Sequence, residues 1–379
     1  MLRAPFASER IQMVDAVTGV KVIQLTSFPS PSAHFLYDWP SITPDNRRVV
    51  FFCQRYAGRG APWDIFRCDA DGLNLYQLTE RQDREARFGY YGTPPAILSL
   101  DGKVIYVVWD TLLCQVDVET GDIEELLSLD RYCSEQCMPG RLHLAGKQRI
   151  LYIDRPGPPY RPLRVDLSSG EVTELEFDGF LFGCIQEGPR LVIFKCKIEW
   201  TYGDDRQGVR RIINAGEEYG LWSVRDDGTD EQFICPSMFA HATVLGCTSK
   251  IQGCGRPPEH CIWLAEAGKP PERLVQGPYF WHSGASFDGE WIVSDTNWPD
   301  EGLQLIHVPT RRFRTLCYAH ATQDHVHFGH PHPTVSHDGR LVLFRSDRTG
   351  VPQLYLVHIT EEFRERVKSG ELSGYDKRL

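Results

Sequence analysis

The sequence predicts an all-β fold, a seven-bladed β-propeller with four-stranded antiparallel blades, and three observations carry this prediction. A hairpin pattern recurs along the chain, in which two strand-like runs flank a turn of the Asp-Gly or Thr-Gly type. The copies recur about every 40 to 50 residues, which is the period of four-stranded propeller blades. The last copy lacks its second strand, and the missing half stands at the other end of the chain.

The copies of this hairpin follow one another in chain order. They begin at Ile65, Leu113, Leu163, Leu221, Ile262, Leu303 and Leu354. The seventh copy, Leu354-Tyr-Leu-Val-His-Ile, breaks off, whereas Val17 to Thr26 supplies an isolated second strand. We therefore expect residues 1–360 to form a single propeller that is closed by the N-terminal strand, an arrangement that leaves no exposed sheet edge.

A second hairpin signature upstream of several copies predicts the inner strands of the blades. It begins at Pro40, Pro95, Gly284 and Pro333. The first strand of each inner pair lines the central channel, so the residues just before it lie at the channel mouth. Blade four is interrupted by Lys195 to Glu218, an insertion that is more often a surface excursion but can overhang the mouth of a propeller. The charged segment 361–379 is expected to be a short helix or disordered, and we assign it no role.

Composition and charge argue against several classes of function. The chain has 379 residues, 41% of them hydrophobic, and a net charge of -10, which disfavours nucleic acid or an anionic membrane as the main partner. The N-terminus shows no apolar segment of the length that a signal peptide requires, and no run approaches the roughly 18 apolar residues of a membrane span. The twelve cysteines lie mostly in apolar strand-like runs, so we expect reduced thiols and a cytoplasmic protein.

Histidines are concentrated in one stretch, His320 to Gly339, which holds six of the thirteen in the chain. His330 and His332 are two residues apart, a spacing that puts both imidazoles on one face of a strand. His332 lies six residues before the aspartate of its turn, and His282 has the same offset from its own turn. If the two segments are copies of one repeat, these side chains converge at the channel mouth, as metal ligands do.

Together these motifs resemble the oligogalacturonate lyase family. The resemblance is carried by His282-Ser-Gly-Ala-Ser-Phe-Asp-Gly, by His330-Pro-His-Pro-Thr-Val-Ser-His-Asp-Gly, by the following Leu-Phe-Arg-Ser-Asp347, and by the blade pattern that begins at Ile42. Members of this family are seven-bladed propellers that cleave short uronate oligosaccharides by β-elimination. They use a divalent metal, typically manganese, at the channel mouth.

The resemblance implies a set of metal ligands. In the family three histidines and a glutamine hold the ion, and the last three ligands are set as Gln-x-x-His-x-His. The histidines fall here on His282, His330 and His332, and His327 takes the position of the glutamine. Imidazole binds manganese, zinc, nickel and copper alike, so this substitution leaves the metal open, with Mn²⁺ favoured by the family. Gln323 is near enough in sequence to act as a displaced substitute.

The resemblance also implies a general base that lies one blade or so before the first metal ligand. His241 is the histidine at a strand start in that place, and a base with a pKa near neutrality suits removal of the C5 proton of a uronate. Arg210 and Arg211, in the insertion of blade four, are candidates for bidentate pairing with substrate carboxylates. The alternative is a structural role for His241 and an exposed loop pair for the two arginines.

Aromatic side chains at the predicted channel mouth are candidates for stacking on sugar rings, although aromatics at strand starts more often pack between blades. They are Tyr37, Trp39, Tyr90, Tyr91 and Trp281. The expected partner is an acidic oligosaccharide.

Two other functions remain open. One is a non-catalytic propeller that binds a glycan or a protein, which would not need clustered histidines. The other is a lyase that acts on another uronate, such as a glucuronate-containing saccharide. The propeller of a serine peptidase is disfavoured, because the chain has no G-x-S-x-G motif and no room for a hydrolase domain.

Overall fold

The computed structural model describes residues 5–55, 62–80, 93–133, 139–145, 149–155, 161–176, 180–185, 190–195, 197–202, 208–213, 219–323 and 329–370, with the backbone alone for 197–202 and 208–213. Within these ranges the chain forms eight antiparallel sheets, of which seven follow one another as the blades of a β-propeller and the eighth is a two-stranded hairpin. This confirms the predicted fold class.

The strands of the first half of the chain form two opening strands and blades 1 to 3. The chain opens with β1 (Ile11–Val14) and β2 (Lys21–Gln24). Blade 1 contains β3 (Ser32–Ala33), β4 (Arg48–Cys53), β5 (Asp64–Asp69) and β6 (Tyr76–Gln77). Blade 2 contains β7 (Ala96–Leu98), β8 (Val104–Trp109), β9 (Leu112–Asp117) and β10 (Ile123–Ser128), followed by a 3₁₀ turn at Asp130–Tyr132. Blade 3 contains β11 (Leu142–Ala145), β12 (Ile150–Ile153), β13 (Leu163–Asp166) and β14 (Glu171–Glu174).

Blades 4 to 7 follow in the second half of the chain. Blade 4 contains β15 (Phe180–Ile185) and β16 (Arg190–Lys195), then a separate hairpin of β17 (Lys197–Tyr202) and β18 (Gly208–Ile213), then β19 (Gly220–Arg225) and β20 (Gln232–Pro236). Blade 5 contains β21 (Phe239–Val244), β22 (Ile251–Gly255), β23 (Cys261–Ala265) and β24 (Glu272–Gln276). Blade 6 contains β25 (Phe280–Ala285), β26 (Trp291–Thr296), β27 (Leu303–His307) and β28 (Arg312–Cys317). Blade 7 contains β29 (Thr334–Val335), β30 (Leu341–Ser346) and β31 (Gln353–His358), and helix α1 (Glu361–Ser369) follows.

The two termini meet in blade 7, as the split repeat predicts. β2 pairs with β31 through Ile23 opposite Leu356 and Gln24 opposite Tyr355. β1 then pairs with β2, so this sheet has five strands in the order β1-β2-β31-β30-β29 rather than four. The additional strand arises because the turn that begins at Asp15 folds β1 back onto β2. Closure therefore gives the last strand of blade 7 a hydrogen-bonded neighbour.

The core lies between neighbouring blades, because each sheet packs against the next on both faces. In one cluster Val50 and Phe52 of blade 1 pack with Ile105 and Val107 of blade 2, and all four are fully buried. Strands that are covered on both faces are apolar almost throughout, which explains runs such as that of β4. The cysteines of the described residues are free thiols and most are buried, as the sequence predicts.

Helix α1 begins after Thr360, whose Oγ1 accepts a hydrogen bond from the backbone N of Phe363 at 3.2 Å. It ends at Gly370, which adopts the left-handed conformation with φ of +71°. The helix buries Phe363 and Val367 against the core of blades 6 and 7, and residues 371–379 of the expected tail lie outside the described ranges. None of the described helices is long and apolar enough to cross a membrane.

Candidate active site at the channel mouth

A cavity of about 970 Å³ opens at the end of the channel where the innermost strands of the blades begin. Its lining includes His34 of blade 1, Arg141 before β11, His241 of blade 5 and His282 of blade 6. His332, which precedes β29, lines the same cavity. Residues from opposite ends of the sequence therefore share one concave site.

His282 is turned toward the cavity by a bulge in β25. The register of β25 against β26 shifts between Phe280 and Ser283, which is the local irregularity that re-aims a side chain beside a site. Asp295, a fully buried residue of β26, accepts a hydrogen bond from the backbone N of His282 at 2.6 Å and lies 3.0 Å from its Nδ1. A carboxylate partner holds the proton on Nδ1 and leaves Nε2 of His282 available for an ion.

Asp295 also connects blade 6 to blade 7. The backbone N of His332 donates to Oδ2 of Asp295 at 3.1 Å. Burial raises the pKa of Asp295 to about 6, and the hydrogen bonds from the backbone N–H groups of His282 and His332 oppose that shift. The carboxylate is thus held in place by donors from two blades.

The segment that carries His330 and His332 is fixed by hydrogen bonds from its neighbours. The carbonyl of His330 accepts from Nε of Arg345 at 3.0 Å, and the carbonyl of His332 accepts from Nε2 of His34 at 2.6 Å. His332 adopts a left-handed backbone with φ of +45°, which is uncommon for a residue with a side chain. The turn at His332 aims its imidazole back toward blade 6, where the ring centroid lies 3.9 Å from that of His282.

The donor set at the centre of the cavity fits a divalent metal ion. One ligand atom each of His282, Asp295 and His330 lie within 4.8 Å of one another. Imidazole nitrogen suits first-row divalent metals. Both oxygens of Asp295 already accept hydrogen bonds from His282 and His332, so Asp295 is assigned to orienting the histidines rather than to binding the ion. His332 is not part of that group, but its ring centroid lies 3.9 Å from that of His282 and 5.9 Å from that of His330. The structure therefore brings three of the four predicted histidine ligands near one another, whereas His327 lies outside the described residues.

The tautomer of His332 depends on two competing contacts. Its Nδ1 lies 2.5 Å from Nη2 of Arg345 and 3.1 Å from the carbonyl oxygen of His330. A guanidinium only donates, so the contact with Arg345 needs an Nδ1 without a proton, whereas the contact with the carbonyl needs a protonated one. Binding of an ion through Nε2 of His332 is compatible with the second arrangement.

Gln323, the sequence alternative to His327, lies beside blade 6. Its Nε2 donates to the carbonyl of Thr296 at 2.9 Å. Its Oε1 is buried and accepts no hydrogen bond from any described residue. A buried amide oxygen without a donor is a candidate ligand atom for a cation.

His241 lies next to the histidine cluster and borders the cavity. It stands in a bulge of β21, with a left-handed φ of +52°. Its ring centroid is 4.3 Å from that of His282, and its edge meets Trp281 at 4.6 Å. Burial, together with the charges of His282 and Arg141, holds the pKa of His241 well below its usual value. The imidazole is therefore neutral at neutral pH and can accept a proton, but it is a weaker base than the near-neutral one that the sequence analysis expects.

Tyr37 and its partners form the part of the wall next to His241, whose ring centroid lies 6.3 Å from that of Tyr37. Gly284 of β25 approaches the Tyr37 carbonyl so closely that a Cβ would stand 2.2 Å from that oxygen. The Tyr37 ring stacks on His332 with centroids 5.8 Å apart. Arg141 donates to the Tyr37 hydroxyl at 3.3 Å and pairs with Asp38 at 3.2 Å.

The two predicted arginines lie in the insertion of blade 4, as the sequence predicts, and their role stays a prediction. Arg210 and Arg211 belong to β18, opposite Trp200 and Glu199 of β17, and their side chains lie outside the described part of the chain. Their hairpin leaves blade 4 between β16 and β19, and Phe194 at the end of β16 lines the cavity. The predicted insertion therefore starts at the mouth.

The aromatic candidates divide into three groups. Tyr37 and Trp281 line the cavity. Trp39 instead donates its Nε1 proton to a backbone carbonyl of β7 at 2.8 Å and packs between blades. Tyr90 and Tyr91 lie outside the described residues.

Sequence reasoning assigned no role to Asp295, Arg345 or Arg141. Asp295 had a signal, since it is an acidic residue near the end of an otherwise uncharged and fully buried strand, β26. Arg345 stands in one of the motifs that carry the family resemblance. Arg141 has no pattern that would single it out among the arginines of the chain.

The fold and the site together define a seven-bladed propeller with a histidine-rich centre that suits a divalent metal at the channel mouth. No known protein-family profile matches the chain. An oligogalacturonide lyase of Pectobacterium atrosepticum is 22% identical over 402 aligned positions, which cover 92% of this chain and 95% of that protein.

Solved structures share the fold. A manganese complex of an oligogalacturonate lyase matches with a TM-score of 0.74 and 17% identity, covering 96% of this chain and 99% of its own. The oligogalacturonate lyase of Vibrio parahaemolyticus matches with a TM-score of 0.74 and 16% identity, covering 95% of this chain and 100% of its own. The resemblance that the histidine motifs predict is therefore confirmed over almost the whole chain.

A further solved structure matches the fold more loosely. A chain of the mitotic checkpoint complex matches with a TM-score of 0.56 and 14% identity, covering 94% of this chain and 96% of its own. Because one fold hosts many functions, the chemistry of the site and not the blade architecture indicates what the protein does.

Proposed function

We propose that the protein is a metal-dependent lyase that cleaves short uronate oligosaccharides, of the oligogalacturonate class, by β-elimination to 4,5-unsaturated products. The observation that carries the proposal is the convergence of His241, His282, His330 and His332 on one cavity. It is supported by similarity to an oligogalacturonide lyase along 92% of the chain.

The divalent ion, Mn²⁺ by analogy with the manganese-bound relative, would be held by His282, His330 and His332 with His327 as the fourth ligand. Asp295 would orient His282 through Nδ1. When bound, such an ion supplies a Lewis acid that draws negative charge from the substrate carboxylate and makes the adjacent C5–H bond more acidic.

The residues of the chain then have separate tasks. His241 takes the C5 proton on an unprotonated ring nitrogen, which its low pKa keeps available near neutral pH. The electron pair of the C5–H bond forms the C4–C5 double bond, the bond from C4 to the glycosidic oxygen breaks, and that oxygen takes a proton from water. Arg210 or Arg211 would pair with a substrate carboxylate from the hairpin that leaves blade 4 beside the mouth.

The test measures the ultraviolet absorbance of the unsaturated product on a panel of uronate oligomers, with galacturonate and glucuronate chains of two to four rings. The protein is assayed as purified, after chelation, and after Mn²⁺ is restored. His241→Ala is expected to stay folded, keep its metal content and lose about 10² or more in turnover. His358→Ala, which changes an exposed histidine of β31, is the matched control and should keep full turnover.

Two results would count against the proposal. Full turnover in a folded His241→Ala protein would remove the base assignment. A metal-loaded wild-type protein that cleaves none of the panel would favour a propeller that binds a glycan or protein without cleaving it.

A further inference from the structure

A second group of side chains borders the same cavity outside the histidine cluster. It comes from three connections on blades 5 and 6: Arg256 follows β22, Tyr279 precedes β25, and Asn297 follows β26. β21 and β25 begin at the mouth, so their antiparallel partners β22 and β26 end there. All three connections therefore lie at one sector of the rim.

A backbone hydrogen bond joins two of these connections. The N–H of Asn297 donates to the carbonyl of Tyr279 at 2.8 Å. Oδ1 of Asn297 in turn accepts from the N–H of Trp298 at 2.8 Å. The first bond joins the connection after β26 to the connection before β25, and the second is a local bond between Asn297 and the residue that follows it, Trp298.

The aromatic rings of this sector continue those of the cavity wall. Trp281 meets the Tyr279 ring at 5.4 Å, and Tyr279 stacks on His260 at 5.0 Å with an interplanar angle of 10°. Trp298 is 76% exposed, the highest value among the large hydrophobic side chains of the described residues. Single exposed aromatics are ordinary on protein surfaces. Trp298 differs from such scattered aromatics because it directly follows Asn297, which lines the cavity.

Arg256 supplies a positive charge to the same sector. Arg141 pairs with Asp38, and Arg345 donates to the His330 carbonyl. By contrast, the guanidinium of Arg256 is exposed and makes no ion pair or hydrogen bond with the described residues. Its five N–H donors therefore face the rim of the cavity and the solvent.

We propose that Arg256, Tyr279 and Trp298 form an outer subsite that binds the second uronate ring of the substrate. This inference rests on the proposed function, in which the first ring is held at the histidine centre. A uronate oligomer carries a carboxylate and an apolar ring face on every unit. Arg256 receives the carboxylate as a bidentate partner, and Trp298 and Tyr279 present rings to the sugar face. The subsite makes binding depend on chain length.

The test separates binding from turnover. Calorimetric titrations with galacturonate and with its dimer and trimer are made on the metal-loaded wild type, Arg256→Gln and Trp298→Ala. Arg256→Gln is expected to bind the dimer and trimer about tenfold or more weakly, because one charge-assisted contact has that magnitude. Trp298→Ala is expected to bind them about two- to tenfold more weakly, the size of one aromatic ring contact. Monomer affinity, metal content and melting temperature should not change. Arg340→Gln, which removes an exposed arginine from the turn at the far end of blade 7, is the matched control and should bind like the wild type.

Steady-state rates on the trimer provide a second readout. Loss of an outer subsite raises KM more than it lowers kcat, because the contact is made equally in the bound substrate and in the transition state. Variants that bind the dimer and trimer as the wild type does would overturn the subsite, whatever the turnover. A wild type that binds no oligomer more tightly than the monomer would overturn it as well. A wild type that binds oligomers more tightly but cleaves none, with both variants weakened, would support the subsite and refute the lyase.

Discussion

Replacement of Asp295 by asparagine tests how the histidine centre is held. Asp295 accepts hydrogen bonds from the backbone N of His282 at 2.6 Å and of His332 at 3.1 Å, and its Oδ2 lies 3.0 Å from Nδ1 of His282. An amide of the same size keeps one acceptor oxygen but replaces the other by an NH₂ group that only donates. At least one of the three N–H groups then faces another donor.

The expected loss falls on metal affinity. Removing a carboxylate that orients a histidine ligand typically weakens metal binding by about 10- to 100-fold. That range corresponds to about 1.4–2.8 kcal/mol, at about 1.4 kcal/mol per factor of ten. The stability of the metal-free protein should change less, because burial already disfavours the charged carboxylate, as the raised pKa of Asp295 near 6 indicates. A neutral amide removes the cost of burying a charged carboxylate, and this gain offsets part of the loss of a hydrogen bond.

The assay is competition for Mn²⁺ and Zn²⁺ between the protein and a chromophoric chelator, with metal per chain measured by elemental analysis. Asp64→Asn is the matched control. Asp64 is also fully buried, but it serves blade 1 by accepting hydrogen bonds from Thr79 and Gln77. The Asp64→Asn variant should lose stability and keep its metal affinity. If Asp295→Asn binds both ions within about twofold of the wild type, the assigned role of this carboxylate is wrong.

Three further predictions concern the fold. Deleting residues 1–26 removes β1 and β2 and leaves β31 as an open edge, so the chain should aggregate rather than fold; an unchanged melting transition would contradict the closure. Gly284→Ala places a Cβ 2.2 Å from the Tyr37 carbonyl and should cost about 1–3 kcal/mol in urea unfolding, and a variant as stable as the wild type would disprove that close approach. Burial raises the pKa of Asp15, but hydrogen bonds lower it by more, above all the bond from the Tyr318 N–H, so the pKa lies below the ordinary value of 3.8. The ionised carboxylate of Asp15 therefore stabilises the fold above that pH, and this stabilisation is lost as the pH falls. The urea midpoint of Asp15→Asn should therefore fall less steeply than that of the wild type below about pH 4, and parallel curves would refute this.

The repeat and its consequences could be predicted from the sequence because they depend on local patterns. Strand alternation and Asp-Gly turns are properties of a few consecutive residues, and their recurrence predicted seven blades and the closure between the termini. The equal offset of His282 and His332 from their turns was enough to predict that both lie near the mouth. The blade strands are so regular that equivalent positions in two copies lie at equivalent places in space.

The contacts that make the site were decided by the tertiary structure. Asp295 of blade 6 accepts a hydrogen bond from His332 at the start of blade 7. Gly284 packs against the carbonyl of Tyr37, which is distant in sequence, and Arg345 contacts His332 from the next strand of blade 7. Each of these depends on how the ring of blades closes, which no local pattern encodes. The bulges at His241 and His282 also change the direction of a side chain by shifting the strand register. The alternation of inward and outward residues along a regular strand does not predict such a shift. The sequence by itself therefore determined which residue types gather at the mouth, and the packing of the blades determined which of them touch.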